Sequence, residues 1–105
     1  MKTEYFDIPL IKNENNHQFQ IIFEGHKALI AYKERANTIL LIHTEVEPEL
    51  EGKGVATAVI EKTLRYIEDN NYKLIPLCPL VFAYIKRHPE WKRIVDESFK
   101  GFELI

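Results

Sequence analysis

The chain has 105 residues, 46% of them hydrophobic and 29% charged, which fits one soluble globular domain over 1–105 with one modest core. Its net charge of −2 gives no basic footprint and disfavours nucleic acid as a main partner. No apolar run approaches the roughly 20 residues that span a bilayer, acids interrupt the opening Met1–Asp7 so that it is no signal peptide, and the lone Cys78 excludes an internal disulfide, which together suit a reducing, cytoplasmic setting.

Residues 1–12 are mixed and read as a short leading strand, and Asn13 to Asn16 as a polar turn. Phe19, Ile21 and Phe23 alternate with Gln18 and Gln20, a strand signal. Glu24-Gly25-His26 reads as a tight turn, Ala28 to Lys33 as a second strand and Arg35-Ala36-Asn37 as a second turn. Thr38 to Val46 is a third strand, apolar on both faces at Leu40, Leu41 and Ile42 and therefore central in its sheet. These three runs form an antiparallel meander. Pro48 breaks the third strand.

Val55, Val59, Ile60, Leu64 and Ile67 mark one face of a helix, with Glu61 and Arg65 an i,i+4 pair on its outside. Asn70-Asn71 stops it, since Asn tolerates the left-handed conformation. Lys73 to Leu77 is a fourth core strand, returned parallel by the helical crossover, and Pro76 and Pro79 limit pairing at its end. Leu80 to Arg87 is a second helix, ended at His88-Pro89, with a further helical turn over Glu90 to Val95. The pattern assigns no element to the tail, 96–105.

Between the third strand and the first helix lies Glu51-Gly52-Lys53-Gly54-Val55-Ala56. Glycines at a strand-to-helix junction let the backbone curl around an anion, and the helix behind offers unpaired N–H groups and a favourable dipole. The stretch reads as a phosphate-binding loop, although a plain tight turn is the simpler use of two glycines. Thr57, one turn in, could add a hydroxyl or be an ordinary helix residue. The loop lacks the Gly-Lys-Ser/Thr ending of a nucleotide P-loop, which speaks against ATP.

This order of elements and this loop resemble the Gcn5-related N-acetyltransferase superfamily, whose pyrophosphate loop reads Gln/Arg-x-x-Gly-x-Gly/Ala. Glu51 departs from that pattern. A carboxylate repels a pyrophosphate, so Glu51 is expected to point away while backbone N–H groups bind. The likeness is closer to the very short, single-domain members. These share His43-Thr44-Glu45-Val46, the glycine loop, Pro76-Leu77-Cys78-Pro79 and Ala83-Tyr84-Ile85-Lys86-Arg87-His88-Pro89-Glu90, over roughly residues 17–95. The resemblance implies a minimal acyl-CoA N-acyltransferase fold of α/β (α+β) class, with a mixed, mostly antiparallel sheet flanked by helices. It implies acetyl-CoA as co-substrate and acetyl transfer to an amine. The pyrophosphate would lie on the loop (Gly52, Lys53, Gly54, Val55, Ala56, Thr57) and the pantetheine arm between the third and fourth core strands, at Thr44 and Val46.

Each candidate has a plainer alternative. Cys78, at the end of the splayed strand, could accept the acetyl group transiently, line the acetyl pocket, or be an inert buried thiol. His43 shares a period-two face with Ile39, Leu41 and Glu45, and is either a core histidine or a base for the amine or for Cys78. Tyr84 is either a donor to the departing sulfur, as the resemblance implies, or an aromatic packed on the sheet. Arg87, with Lys86 and His88, could hold a CoA phosphate or complement the helix C-terminus. Four scattered histidines and one cysteine indicate no metal site. Only the turn at Glu24-Gly25-His26 stands where the superfamily carries acceptor-binding helices. The acceptor side is then open, which fits a protein acceptor or, alternatively, a non-catalytic acyl-CoA-binding or protein-interaction module. The expected assembly is a monomer or weak homodimer.

Overall fold

A computed structural model describes residues 1–105. Five strands form one sheet in the order β1 (Ile11–Asn13), β2 (Gln18–Phe23), β3 (His26–Arg35), β4 (Thr38–Val46) and β5 (Lys73–Pro76). The first four are antiparallel neighbours and β5 lies parallel to β4. The expected meander is present. Its turns use left-handed residues at Glu24 (φ 52°), Gly25 (φ 80°) and Ala36 (φ 49°), the conformation that closes a two-residue hairpin without splaying the strands. The leading segment differs from expectation. Residues 3–5 form a 3-10 turn, and strand pairing begins only at Ile11.

Helix α1 (Val55–Asp69) links β4 to β5, and α2 (Pro79–Arg87) follows β5, with Pro79 in the first turn where its missing N–H costs nothing. Val55, Val59, Ile60, Leu64 and Ile67 are all buried, and Asn71 (φ 62°) ends the helix as the sequence indicates. Opposite them lie Phe19, Ile21, Ile30, Tyr32, Ile39 and Leu41 from one face of the sheet. Val81, Tyr84 and Ile85 of α2, and Trp91 and Ile94 of the 3-10 segment Pro89–Ile94, complete the same core. The tail returns to it through Phe99, Phe102 and Ile105. The other sheet face, with Gln18, Ile22 and Leu29, carries no helix.

One irregularity sets the geometry of the site. Ala31 pairs with His43, yet Tyr32 pairs with Leu41, so Ile42 is an extra residue on β4, a β-bulge. Cross-strand partners share a face, so Thr44, opposite Ile30, lies on the helix-covered side together with Leu41, three residues earlier. His43 is turned to the other side. The expectation that His43 shares the apolar face of Ile39 and Leu41 is therefore corrected: the bulge breaks the period of two, and the His43 side chain is 60% exposed.

Candidate functional site

β4 and β5 are paired only from Thr38–Lys73 to Leu41–Pro76. Pro76 has no N–H to offer, and after the Cys78 N–H donates to the Leu41 carbonyl at 2.8 Å the chain turns into α2. Beyond Leu41 the two strands part. The Glu47 N–H donates to the Lys27 carbonyl at 3.0 Å, which makes 27–47 a hydrogen-bonded pair. By the antiparallel alternation 29–45 and 31–43 are hydrogen-bonded pairs too, and 28–46 and 30–44 are not. The N–H and C=O groups of Thr44 and Val46 therefore point away from β3, into the opening that β5 leaves.

Cys78 closes the inner end of this opening. It is 2% exposed, and its Sγ lies 3.2 Å from Thr44 Oγ1, its one hydrogen-bond partner. The bulge that expels His43 is what brings Thr44 to the thiol. His43 Nε2 and Glu45 Oε1 form an exposed pair at 3.0 Å on the uncovered side of the sheet.

The glycine loop flanks the outer end. Gly52 (φ 75°) and Gly54 (φ 79°) are both left-handed, where any other residue is strained. Gly54 is the N-cap of α1 and brings no side-chain oxygen to cap it. The N–H groups of Gly52, Gly54, Val55, Ala56 and Thr57 find no acceptor in the protein. Gly52, Gly54, Val55 and Ala56 border a hollow of about 170 Å³ whose wall also includes Val46, Leu50 and Glu51. A second cavity, about 600 Å³, opens at the same strand end among Leu29, Thr44, Glu45, Val46 and Glu47. Val46 is common to both.

The loop is held from outside the motif. The Tyr5 hydroxyl donates to the Lys53 carbonyl at 2.6 Å, and Lys53 Nζ lies 3.7 Å from Glu24. Burial, then the Glu4 carboxylate, raises the Tyr5 pKa, so it stays a donor at neutral pH. Glu51 is exposed but lines the same small hollow, so it does not stand clear of the loop as expected. Nothing in the glycine motif announces Tyr5, because the contact spans 48 residues.

Two expected members are elsewhere. The Tyr84 hydroxyl, expected at the leaving sulfur, instead donates to Glu61 Oε1 of α1 at 2.9 Å. Burial, then this carboxylate, pushes its pKa well above the usual phenol range. Glu61 is correspondingly not an outward residue: it is 17% exposed and held between Tyr84 and Arg65. Arg87 is in the last turn of α2. Both helices start at the open strand ends and run back along the sheet, so Arg87 lies at the end remote from the glycine loop. There it complements the helix dipole. The fold also assembles a set that no sequence spacing shows: His26 Nδ1 is 3.1 Å from Glu47 Oε1 and 3.2 Å from Glu49 Oε2. His26, then the Lys27 N–H, holds the Glu47 carboxyl below its ordinary value. Glu47 is hydrogen-bonded to His26 and to the Lys27 N–H, and Glu49 joins by ion-pair contact with His26.

This geometry can be set beside known proteins. A family model described as GCN5-related N-acetyl-transferase matches residues 18–94. A search of curated proteins finds no match. Among solved structures, the NMR solution structure of a GCN5-like protein from Staphylococcus aureus superposes with a TM-score of 0.62 at 21% identity, covering 87% of this chain and 90% of that one, a likeness of fold. With the family model spanning most of its length, the chain belongs to the GCN5-related N-acetyltransferase family.

Proposed function

We propose that this protein transfers the acetyl group of acetyl-CoA to an amine carried by a protein. The observation that carries the reading is the opening between β4 and β5, edged by the outward-facing main chain of Thr44 and Val46 and by five free N–H groups of the glycine loop and the head of α1. The pyrophosphate rests on the N–H groups of Gly52, Gly54, Val55, Ala56 and Thr57, while that of Lys53, expected to join them, donates to the Leu50 carbonyl. The pantetheine amides pair with the free groups of Thr44 and Val46 as a short extra strand. The thioester then lies near Thr44 and Cys78.

The acceptor enters from the uncovered sheet face, where the cavity of about 600 Å³ meets the His43–Glu45 pair. His43, oriented by Glu45, takes a proton from the acceptor ammonium. The freed nitrogen lone pair attacks the thioester carbonyl, and the Thr44 N–H, the free donor next to Val46 on the thioester side, stabilises the oxyanion. The C–S bond then breaks, the thiolate departs and takes a proton from the acceptor nitrogen or from water, and the amide remains. Cys78 lines the acetyl pocket in this scheme. Its burial and its hydrogen bond to Thr44 favour direct transfer over an acetyl-cysteine intermediate.

A second reading is favoured by Tyr84 and Glu51. With the phenol committed to Glu61 and a carboxylate beside the loop, the chain could be an acyl-CoA-binding module without turnover. Calorimetric titration with acetyl-CoA, followed by intact-protein mass spectrometry and an assay on amine-bearing peptides, separates these outcomes. Direct transfer predicts binding, peptide acetylation, no acetyl mass on the protein and unchanged turnover in Cys78→Ala. An acetyl adduct lost in that variant supports the covalent route, and binding without turnover on any amine supports the module.

A further inference from the structure

Lys2 lies beside the glycine loop, outside every motif of the sequence. The 3-10 turn that follows it is tied to the loop by the Tyr5–Lys53 hydrogen bond at 2.6 Å and to α1 by Lys62 Nζ, which donates to the Phe6 carbonyl at 3.2 Å. With the turn so fixed, the Lys2 stem runs along Gly54. Its Cε and Cδ are 3.5 and 3.9 Å from the point a Gly54 Cβ would occupy. Lys2 is exposed and makes no ion pair or hydrogen bond through its ammonium, whereas the loop's own Lys53 is drawn to Glu24.

This is an unfavourable place for a lone cation. The head of α1 carries the positive end of the helix dipole and four uncapped N–H groups, with the free N–H of Gly52 in the loop before it. A bound anion turns that conflict into attraction. Lys53 is already paired and Glu51 adds a negative charge, so of the cations on the loop and beside it Lys2 alone is uncommitted.

We infer that Lys2 is a phosphate-binding residue of the CoA site: its ammonium closes over the glycine loop and supplies the counter-charge for the pyrophosphate. The inference rests on the glycine loop being the CoA phosphate site. It makes the leading turn, Thr3–Tyr5, the scaffold of a binding residue as well as a brace for the loop. The ligand class is a diphosphate ester, recognised by charge, while the pantetheine arm is recognised by the strand.

The test is calorimetric titration of coenzyme A, and of pantetheine as the same arm without phosphates, into wild type, Lys2→Ala, Lys2→Arg and Lys2→Glu. Lys2→Ala is expected to weaken CoA binding about tenfold. Lys2→Arg restores it to within about twofold, Lys2→Glu weakens it further, and added salt narrows the differences. Pantetheine affinity is expected to be the same in all four. If wild type binds CoA and Lys2→Ala binds it equally well, Lys2 is a bystander. A parallel loss of pantetheine binding makes the effect structural and also overturns the inference. Failure of wild type to bind CoA removes the glycine-loop reading itself, and this inference with it.

Discussion

Below Ile42, strand β4 is paired along both edges, to β3 and to β5, and its side chains Ile39 and Leu41 are fully buried. Above Ile42 it is paired along one edge only, His43 and Glu45 face solvent, and the main chain of Thr44 and Val46 faces an opening. The closed half also holds Lys12, 2.9 Å from Glu34 and 5.5–5.7 Å from the ring centres of Tyr32, Tyr66 and Tyr72. The open half has the uncapped head of α1. A single inserted residue divides a stretch that stabilises the sheet from one that leaves hydrogen-bonding groups free for a ligand.

The contrast breaks most plainly at Leu41. Leu41→Ala leaves a cavity in the closed half and is expected to lower unfolding free energy by about 3 kcal/mol in urea titrations. Acetyl-CoA affinity of the folded fraction should stay within about twofold of wild type. Gly54→Ala probes the open half: a left-handed alanine costs about 1–2 kcal/mol. Because the loop must change shape to relieve that strain, calorimetry should show acetyl-CoA affinity falling far more than it does in Leu41→Ala.

Tyr84→Phe decides where the phenol belongs. As a brace between α2 and α1 its loss is expected to cost about 1 kcal/mol of stability, with turnover per folded molecule unchanged. A tenfold or larger drop in kcat at unchanged stability would return Tyr84 to the leaving sulfur.

The smallest effect is the pH response of the Lys12–Glu34 pair. Hydrogen bonding from Lys12 holds the Glu34 carboxyl below its ordinary value, against a weaker effect of burial. Burial is the largest single influence on Lys12 and lowers its pKa, but hydrogen bonding and charge from Glu34 and Tyr66 together outweigh it and the net shift is upward. The depressed Glu34 value contributes stability above the ordinary carboxylate pKa, lost as pH falls through the folded value. The raised Lys12 value contributes stability below the ordinary lysine pKa, lost as pH rises through the folded one. Lys12→Met is expected to cost about 1 kcal/mol at pH 7, with the gap to wild type narrowing in urea titrations as pH drops toward 3. A gap independent of pH would contradict the pairing.

The meander, the helical crossover and the glycine loop were legible because their signals are local: alternation in β2, turn residues at Glu24-Gly25 and Asn71, and two glycines before an amphipathic run. The bulge was hidden because Leu40, Leu41 and Ile42 are all apolar, so an extra residue among them leaves no mark on the pattern. His43 was misplaced for that reason alone, and the Thr44–Cys78 contact depends on the same shift. Tyr84 and Glu61 each fit a local rule, a helix aromatic and an outward i,i+4 acid, yet meet across 23 residues. Lys2, Tyr5 and the set His26, Glu47 and Glu49 are likewise joined only by the fold.

The most direct test of the open-edge account is a residue-resolved amide NMR titration with acetyl-CoA. The expected result is large shifts at Gly52, Gly54, Val55, Ala56, Thr44 and Val46, with Leu40 and Lys12 unmoved. Saturable binding whose shifts gather away from the β4–β5 opening, or no binding at millimolar acetyl-CoA, would contradict it.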